Sequence, residues 1–194
     1  MTTARSDFTR ICSIFFTLIV IILAIGFVGQ LGAQEINEAL INASLEGDLE
    51  KVQHLINSGA DINAQDNRGF TPLMRAATRG YPDVLKFLLD KGADIEKKDN
   101  KGETALLLAS GGGGLEVVKI LVERGANVNV QDNSGKTPLM VPAWSGQIEI
   151  LRLLLDNGAN VNTHDKRGKT ALMLAREQGQ ADAIEILKSH GAKD

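Results

Sequence analysis

The residues able to do chemistry in this 194-residue chain are present in number but not in a working arrangement. Histidine occurs at His54, His164 and His190, far apart along the chain, and no metal-ligand spacing joins them. Carboxylates are plentiful, but Asp66, Asp99, Asp132 and Asp165 recur at a fixed interval, each opening a short glycine-containing stretch. That is the place of a turn former rather than of one half of an acid–base pair. No GxSxG, HExxH or DxDxDG motif occurs. Gly111 to Gly114 suggest a phosphate cradle, yet no Gly-Lys-Ser/Thr ending follows and Lys119 lies well inside the next helix. The one cysteine, Cys12, sits in an apolar run near the N-terminus, so the rest of the chain has neither a disulfide nor a thiol nucleophile. A net charge of −3 gives no field for holding a polyphosphate, which argues against nucleic acid. An enzyme is not expected, and neither a cofactor nor a metal.

The elements that carry these residues fall into two regions. From Ile11 to Val28 the chain carries no charge; Arg5 and Arg10 precede the run, and the next charged side chain is Glu35. As a helix this stretch would be roughly 27 Å long, close to the hydrocarbon thickness of a bilayer. Residues 1–33 therefore read as a signal peptide or a signal-anchor transmembrane helix. The length of the run favours an anchor, whereas Gly26, Gly29, Gly32 and Ala33 supply the small residues of a cleavage site. The basic residues ahead of the run keep the N-terminus inside, so the remainder is expected outside the cytoplasm, periplasmic or secreted.

Beyond residue 33 one unit is repeated. DNRGFTPLMRAATRG, DNKGETALLLASGGG, DNSGKTPLMVPAWSG and DKRGKTALMLAREQG begin 33 residues apart, and Gly-Ala pairs at Gly59, Gly92, Gly125, Gly158 and Gly191 keep the same interval. In the first of these segments Asp66 and Asn67 suit a turn, and Gly69 supplies positive φ. Thr71 caps a helix, and Pro72 takes the first helical position, where a missing N–H is harmless. Leu73, Ala76 and Ala77 form one apolar face, and Gly80 ends the helix. A second helix starts near Pro82, buries Val84, Leu85, Leu88 and Leu89, and is capped by Gly92. Neither helix can bury its face alone, so stability must come from stacking. In the last unit Lys188 stands where Leu89, Val122 and Leu155 stand earlier, which marks a capping repeat.

These residues resemble the ankyrin repeat over roughly 160 positions from Ile36 onward. The resemblance implies an all-α solenoid of about five helix-turn-helix units with β-turn fingers, here 34–65, 66–98, 99–131, 132–164 and 165–194. It also implies a monomeric, non-catalytic domain whose partner is another protein. The binding surface it implies is made of the turn tips and the outward edge of the first helices. Those positions are Asn67, Arg68, Phe70, Thr78 and Arg79; Asn100, Lys101 and Glu103; Asn133, Ser134, Lys136, Trp144 and Ser145; and Lys166, Arg167 and Lys169. The tips lean basic toward the C-terminal end, although removing Arg5, Arg10 and Asp7 from the totals leaves the repeat region more acidic than the whole. A basic strip on an acidic body suits an acidic partner surface and equally suits plain solubility.

Three departures from the repeat stand out. The glycines from Gly111 are expected to end the first helix of their unit early and leave a loose turn. Pro142, in the place of Ala76, Ala109 and Ala175, is expected to kink its helix. Trp144, the one tryptophan, matches Thr78, Gly111 and Glu177, none of them a large apolar residue. It either stands exposed as a partner anchor or folds back over the kink. The function expected is a scaffold or accessory factor for another exported or membrane protein, with an inhibitor or immunity-type binder as the alternative.

Overall fold

The computed structural model describes residues 32–112 and 114–193. The chain divides into two units, Met1–Ile36 and Asn37–Asp194. The apolar run Ile11–Val28, with the signal or anchor role read from it, lies outside the described residues. Among the described residues, no helix is long and apolar enough to cross a membrane.

The described helices come in pairs: α1 (32–46) with α2 (Leu49–Asn57), α3 (Pro72–Arg79) with α4 (Pro82–Asp90), and α5 (Ala105–Gly112) with α6 (Gly114–Glu123). Next come α7 (Met140–Ser145) with α8 (Ile148–Asp156), and α9 (Ala171–Glu177) with α10 (Ala181–Ser189). No strand occurs among the described residues. α3, α5, α7 and α9 stack side by side in one layer, and α2, α4, α6, α8 and α10 stack in a second layer behind them. Small side chains make the front layer possible. Ala76, Ala77, Ala109, Ala143 and Ala175 are wholly buried and let neighbouring helices approach closely. Leu85, Leu88, Leu121, Leu151, Leu154 and Leu187 fill the space between layers.

The helix ends follow from local chemistry. The Thr71 hydroxyl accepts the Met74 N–H at 3.2 Å, Pro72 opens α3, and Gly80 closes it in the left-handed region at φ 75°. Thr170 repeats the cap on the Met173 N–H, also at 3.2 Å. At the end of α4 the cap is Lys91, and Gly92 takes the left-handed conformation one residue later. Lys188 is exposed, whereas Leu155 in the unit before it is buried against α10's layer.

Two departures resolve differently from their sequence reading. α5 does not end early: it runs through Gly112, eight residues, the same length as α3. Ala105, Leu106, Leu107, Ala109 and Ser110 are buried between neighbouring helices, and this packing outweighs the roughly 1 kcal/mol each glycine costs a helix. Pro142 does not kink α7 but shortens it. The helix begins at Met140 rather than Pro138 and has six residues. Pro142 cannot donate to the carbonyl of Pro138, so the opening turn is lost; Met140 N–H donates instead to the Thr137 carbonyl at 3.1 Å. Pro142 then falls in the first turn, where a missing N–H deprives no helical carbonyl.

Candidate protein-binding surface

The four helix pairs from α3/α4 to α9/α10 are each preceded by a finger whose shape is set by one aspartate. Asp66 Oδ1 accepts the N–H groups of Arg68 (2.8 Å) and Phe70 (2.9 Å), and Asp99, Asp132 and Asp165 repeat the arrangement on their own loops. These carboxylates are consumed by the backbone and are turn formers, not acid–base groups. Burial pushes the Asp66 carboxyl up, but the Phe70 N–H, Arg75 and the Arg68 N–H outweigh it and hold Asp66 below the usual carboxylate value. Asp165 is held low by the same balance, with the Lys169 and Arg167 N–H groups opposing burial.

The fingers are tied to one another at 33-residue intervals. Asn100 N–H donates to the Arg68 carbonyl (3.1 Å), Asn133 N–H to that of Lys101 (2.8 Å), and Lys166 N–H to that of Ser134 (2.9 Å). The contact is tight enough to require glycine. A Cβ on Gly102 would lie 2.9 Å from the Asn133 backbone nitrogen, whereas one on Gly168 meets nothing within 4 Å. A parallel ladder runs through the loops after the second helices. Asn63 accepts the Asp94 N–H (2.8 Å), Glu96 that of Asn127 (2.7 Å), Asn129 that of Asn160 (2.7 Å) and Asn162 that of Lys193 (2.9 Å). The recurring DIN, DIE and NVN triplets were the visible signal for it, and their role was missed.

The sixteen positions assigned to partner binding do not share one environment. Arg68, Arg79, Lys101, Ser134, Lys136, Lys166 and Arg167 are exposed, and Glu103 and Lys169 are half-buried. Asn67, Asn100 and Asn133 are exposed but partly committed to the ladder, since Asn100 Nδ2 donates to the Asn67 carbonyl (3.0 Å) and Asn133 Nδ2 to that of Asn100 (3.1 Å). Thr78 and Ser145 turn their hydroxyls back onto the carbonyls of Met74 (2.8 Å) and Val141 (2.9 Å). Phe70 corrects the sequence reading: it is 5% exposed, with the guanidinium carbons of Arg75 and Arg68 at 4.3 and 4.8 Å from its ring centre. Arg75 also pairs with Asp66, which fixes it over the ring. The ring is a packed part of the fold, not an available contact.

Trp144 is the opposite case. It is 48% exposed rather than folded over Pro142, and its carbonyl accepts from Gln180 Nε2 at 3.3 Å. Beside it lies an open cleft of about 420 Å³ between α7 and α9, floored by Met140, Val141, Trp144 and Leu174. Val141 and Leu174 occupy the place that Arg75 holds in the second unit, and this exchange of a charged for an apolar residue was legible in the repeat alignment. Lys136, Arg167 and Lys169 form its rim with Asp165 and Glu177. Lys169 Nζ is held by both Glu177 oxygens at 2.6 and 2.8 Å.

The third unit carries the acidic counterpart. Leu108 replaces Arg75 there, and Asp99 Oδ2 is buried with no hydrogen-bond partner among the described residues. Burial and the neighbouring Asp99 push the Glu103 carboxyl above its usual value, with Asp132 adding to the effect and Lys101 opposing it. Among the described residues no group of three His, Cys, Asp or Glu side chains is placed to hold a metal ion.

Fingers, paired helices and a side-chain ladder repeating every 33 residues define a repeat protein whose working surface is a face rather than a pocket. The family model described as "Ankyrin repeats (3 copies)" matches residues 19–99, 40–132, 94–165 and 131–194. The chain belongs to the ankyrin-repeat family. It is similar to ankyrin repeat protein RF_p14 of Rickettsia felis, at 45% identity over 54 residues, 28% of this chain and 86% of that protein. It is also similar to protein phosphatase 1 regulatory subunit 27 of Homo sapiens, at 51% identity over 45 residues, 23% of this chain and 29% of that protein. Ankyrin repeats are protein–protein interaction modules and generally non-catalytic.

Proposed function

We propose that this chain is an accessory or scaffold protein that holds another exported or membrane protein against its fingers and first helices. The observation that carries the reading is Trp144, an exposed aromatic anchored on a packed helix beside an open apolar cleft. Tryptophan on such a support is the residue type most enriched among binding hot spots, because it offers a large area at little cost in side-chain freedom. The likeness to a phosphatase regulatory subunit supports an accessory role over a catalytic one. Display outside the cytoplasm rests on Arg5 and Arg10 ahead of Ile11–Val28 and on the absence of Lys or Arg from there to Lys51.

Two measurements test the reading. A protein captured from the envelope fraction by the full-length chain, once purified and titrated, should bind Trp144→Ala more weakly by about 2 kcal/mol or more. Equal binding to Trp144→Ala removes the support for the anchor. Alkaline phosphatase and fluorescent-protein fusions at the C-terminus report opposite sides of the membrane. A fluorescent fusion paired with an inactive phosphatase fusion places the repeats in the cytoplasm and ends the export reading.

A further inference from the structure

We infer that the cleft between α7 and α9 takes an acidic peptide segment carrying one large apolar side chain, an inference that rests on the protein-binding reading above. The floor fixes the apolar part. Met140 and Leu174 lie beside Val141 and the exposed indole of Trp144, all within one open cleft, so an inserted aliphatic or aromatic side chain is enclosed by hydrocarbon, thioether and ring surface.

The rim fixes the charge. Glu177 is neutralised by Lys169, and Asp165 is 6% exposed with its oxygens taken by its own loop and by Arg167. Neither presents a free negative charge to an incoming segment. Lys136 is exposed and makes no ion pair among the described residues, and Arg167 reaches Asp165 through Nε alone at 3.4 Å. With Lys169 paired to Glu177, Lys136 and Arg167 are the cations available on the rim, on a body whose overall charge is negative. An acidic segment is attracted to this rim, beside the apolar floor that holds its anchor. A single-stranded nucleic acid fits less well. The floor offers one ring rather than a series of stacking platforms.

The test uses the full-length chain to select from a displayed random-peptide library. Selected sequences are then remade with Phe or Leu as the anchor, so that Trp144, the one tryptophan, reports occupancy of the cleft by its own emission. The expected result is enrichment of Asp and Glu beside one large apolar residue, with a saturable shift of Trp144 emission. Replacing the anchor by Ala should weaken binding roughly thirty-fold. Lys136→Glu with Arg167→Gln should weaken it about tenfold, and more so at low salt. Basic or uncharged consensus peptides, acidic peptides that bind Trp144→Ala unchanged, or a larger emission shift with a single-stranded oligonucleotide would each overturn the inference while leaving a binding role for the array. A library that yields no binder counts against the protein-binding reading itself.

Discussion

The second and fourth units follow one plan, and exchanges at three positions of one face separate a closed surface from an open one. In the second unit those positions hold Phe70, Arg75 and Thr78. The ring is covered by two guanidinium groups, Arg75 is pinned by Asp66, and the threonine hydroxyl satisfies its own helix. In the fourth unit the same places hold Lys136, Val141 and Trp144, which leave an apolar cleft with a cationic rim. The finger and the ladder are unaffected by the exchange because they use aspartate, glycine and backbone groups, whereas the helix start differs, α7 lacking the side-chain cap that Thr71 gives α3. The repeat thus separates residues that build the array from residues free to meet a partner, and only some units use that freedom.

The comparison breaks most directly if the two aromatics behave alike. Phe70→Ala should destabilise the protein by about 3–5 kcal/mol, as emptying a packed aromatic site does. Trp144→Ala should cost less than about 1 kcal/mol. Thermal or urea unfolding of the two variants decides it, and equal losses would make Trp144 part of the core. The ladder gives the next largest effect. Gly102→Ala should cost about 2–3 kcal/mol, combining the strain of left-handed backbone with disruption of the Asn133 contact. Gly168→Ala, with the same backbone strain and open space around it, should cost only about 1 kcal/mol.

The charged groups sharpen the contrast through pH. Asp66 has a folded pKa below its unfolded value, so its contribution is present above the unfolded value and is lost as pH falls through the folded one. Asp66→Asn should therefore lower the melting temperature at neutral pH, and the gap to wild type should close on acidification. Glu103 has the opposite sign. Its folded pKa is raised, so the folded state binds its proton more tightly, and stability falls as pH rises from the unfolded value through the folded one. Glu103→Gln should raise the melting temperature slightly at neutral pH and leave it unchanged well below the carboxylate range. The smallest effect belongs to Pro142→Ala, which should restore the first turn of α7 and stabilise the fold by about 1 kcal/mol, read as a small gain in far-ultraviolet helical signal and in melting temperature.

The array was legible because a period of 33 ties each residue to a job that short-range chemistry defines. Thr71 and Pro72 announce a helix start, and Asp66 with Gly69 announces a turn. What escaped depends on neighbours distant in sequence. Phe70 looks like an exposed finger tip until Arg75 is seen folded over it. The glycines at 111 and 112 read as helix breakers until the packing of α5 is known. The hydrogen bonds of Asn63, Glu96, Asn129 and Asn162 link loops some 30 residues apart, so the DIN, DIE and NVN triplets show a repeat without showing what it bonds to. At the candidate site, Trp144 and the basic tips were visible, whereas Met140, Val141 and Leu174 emerge as one floor only when α7 and α9 are side by side.

The ladders carry a consequence for how such a chain changes length. Gln65 Nε2 reaches the Lys98 carbonyl, Lys98 Nζ that of Gln131, and Gln131 Nε2 that of His164, each bond joining residues 33 positions apart. Every unit thus presents the same donors on one side and the same acceptors on the other, like links with matching ends. Excision of residues 99–131 would leave Gln65 beside Lys98 and bring Lys98 beside His164 and Arg68 beside Asn133, pairs of the same kind as those lost. Genetic gain or loss of whole units is then nearly silent for folding, yet it moves the Trp144 cleft one place along the array and gives it a new neighbour.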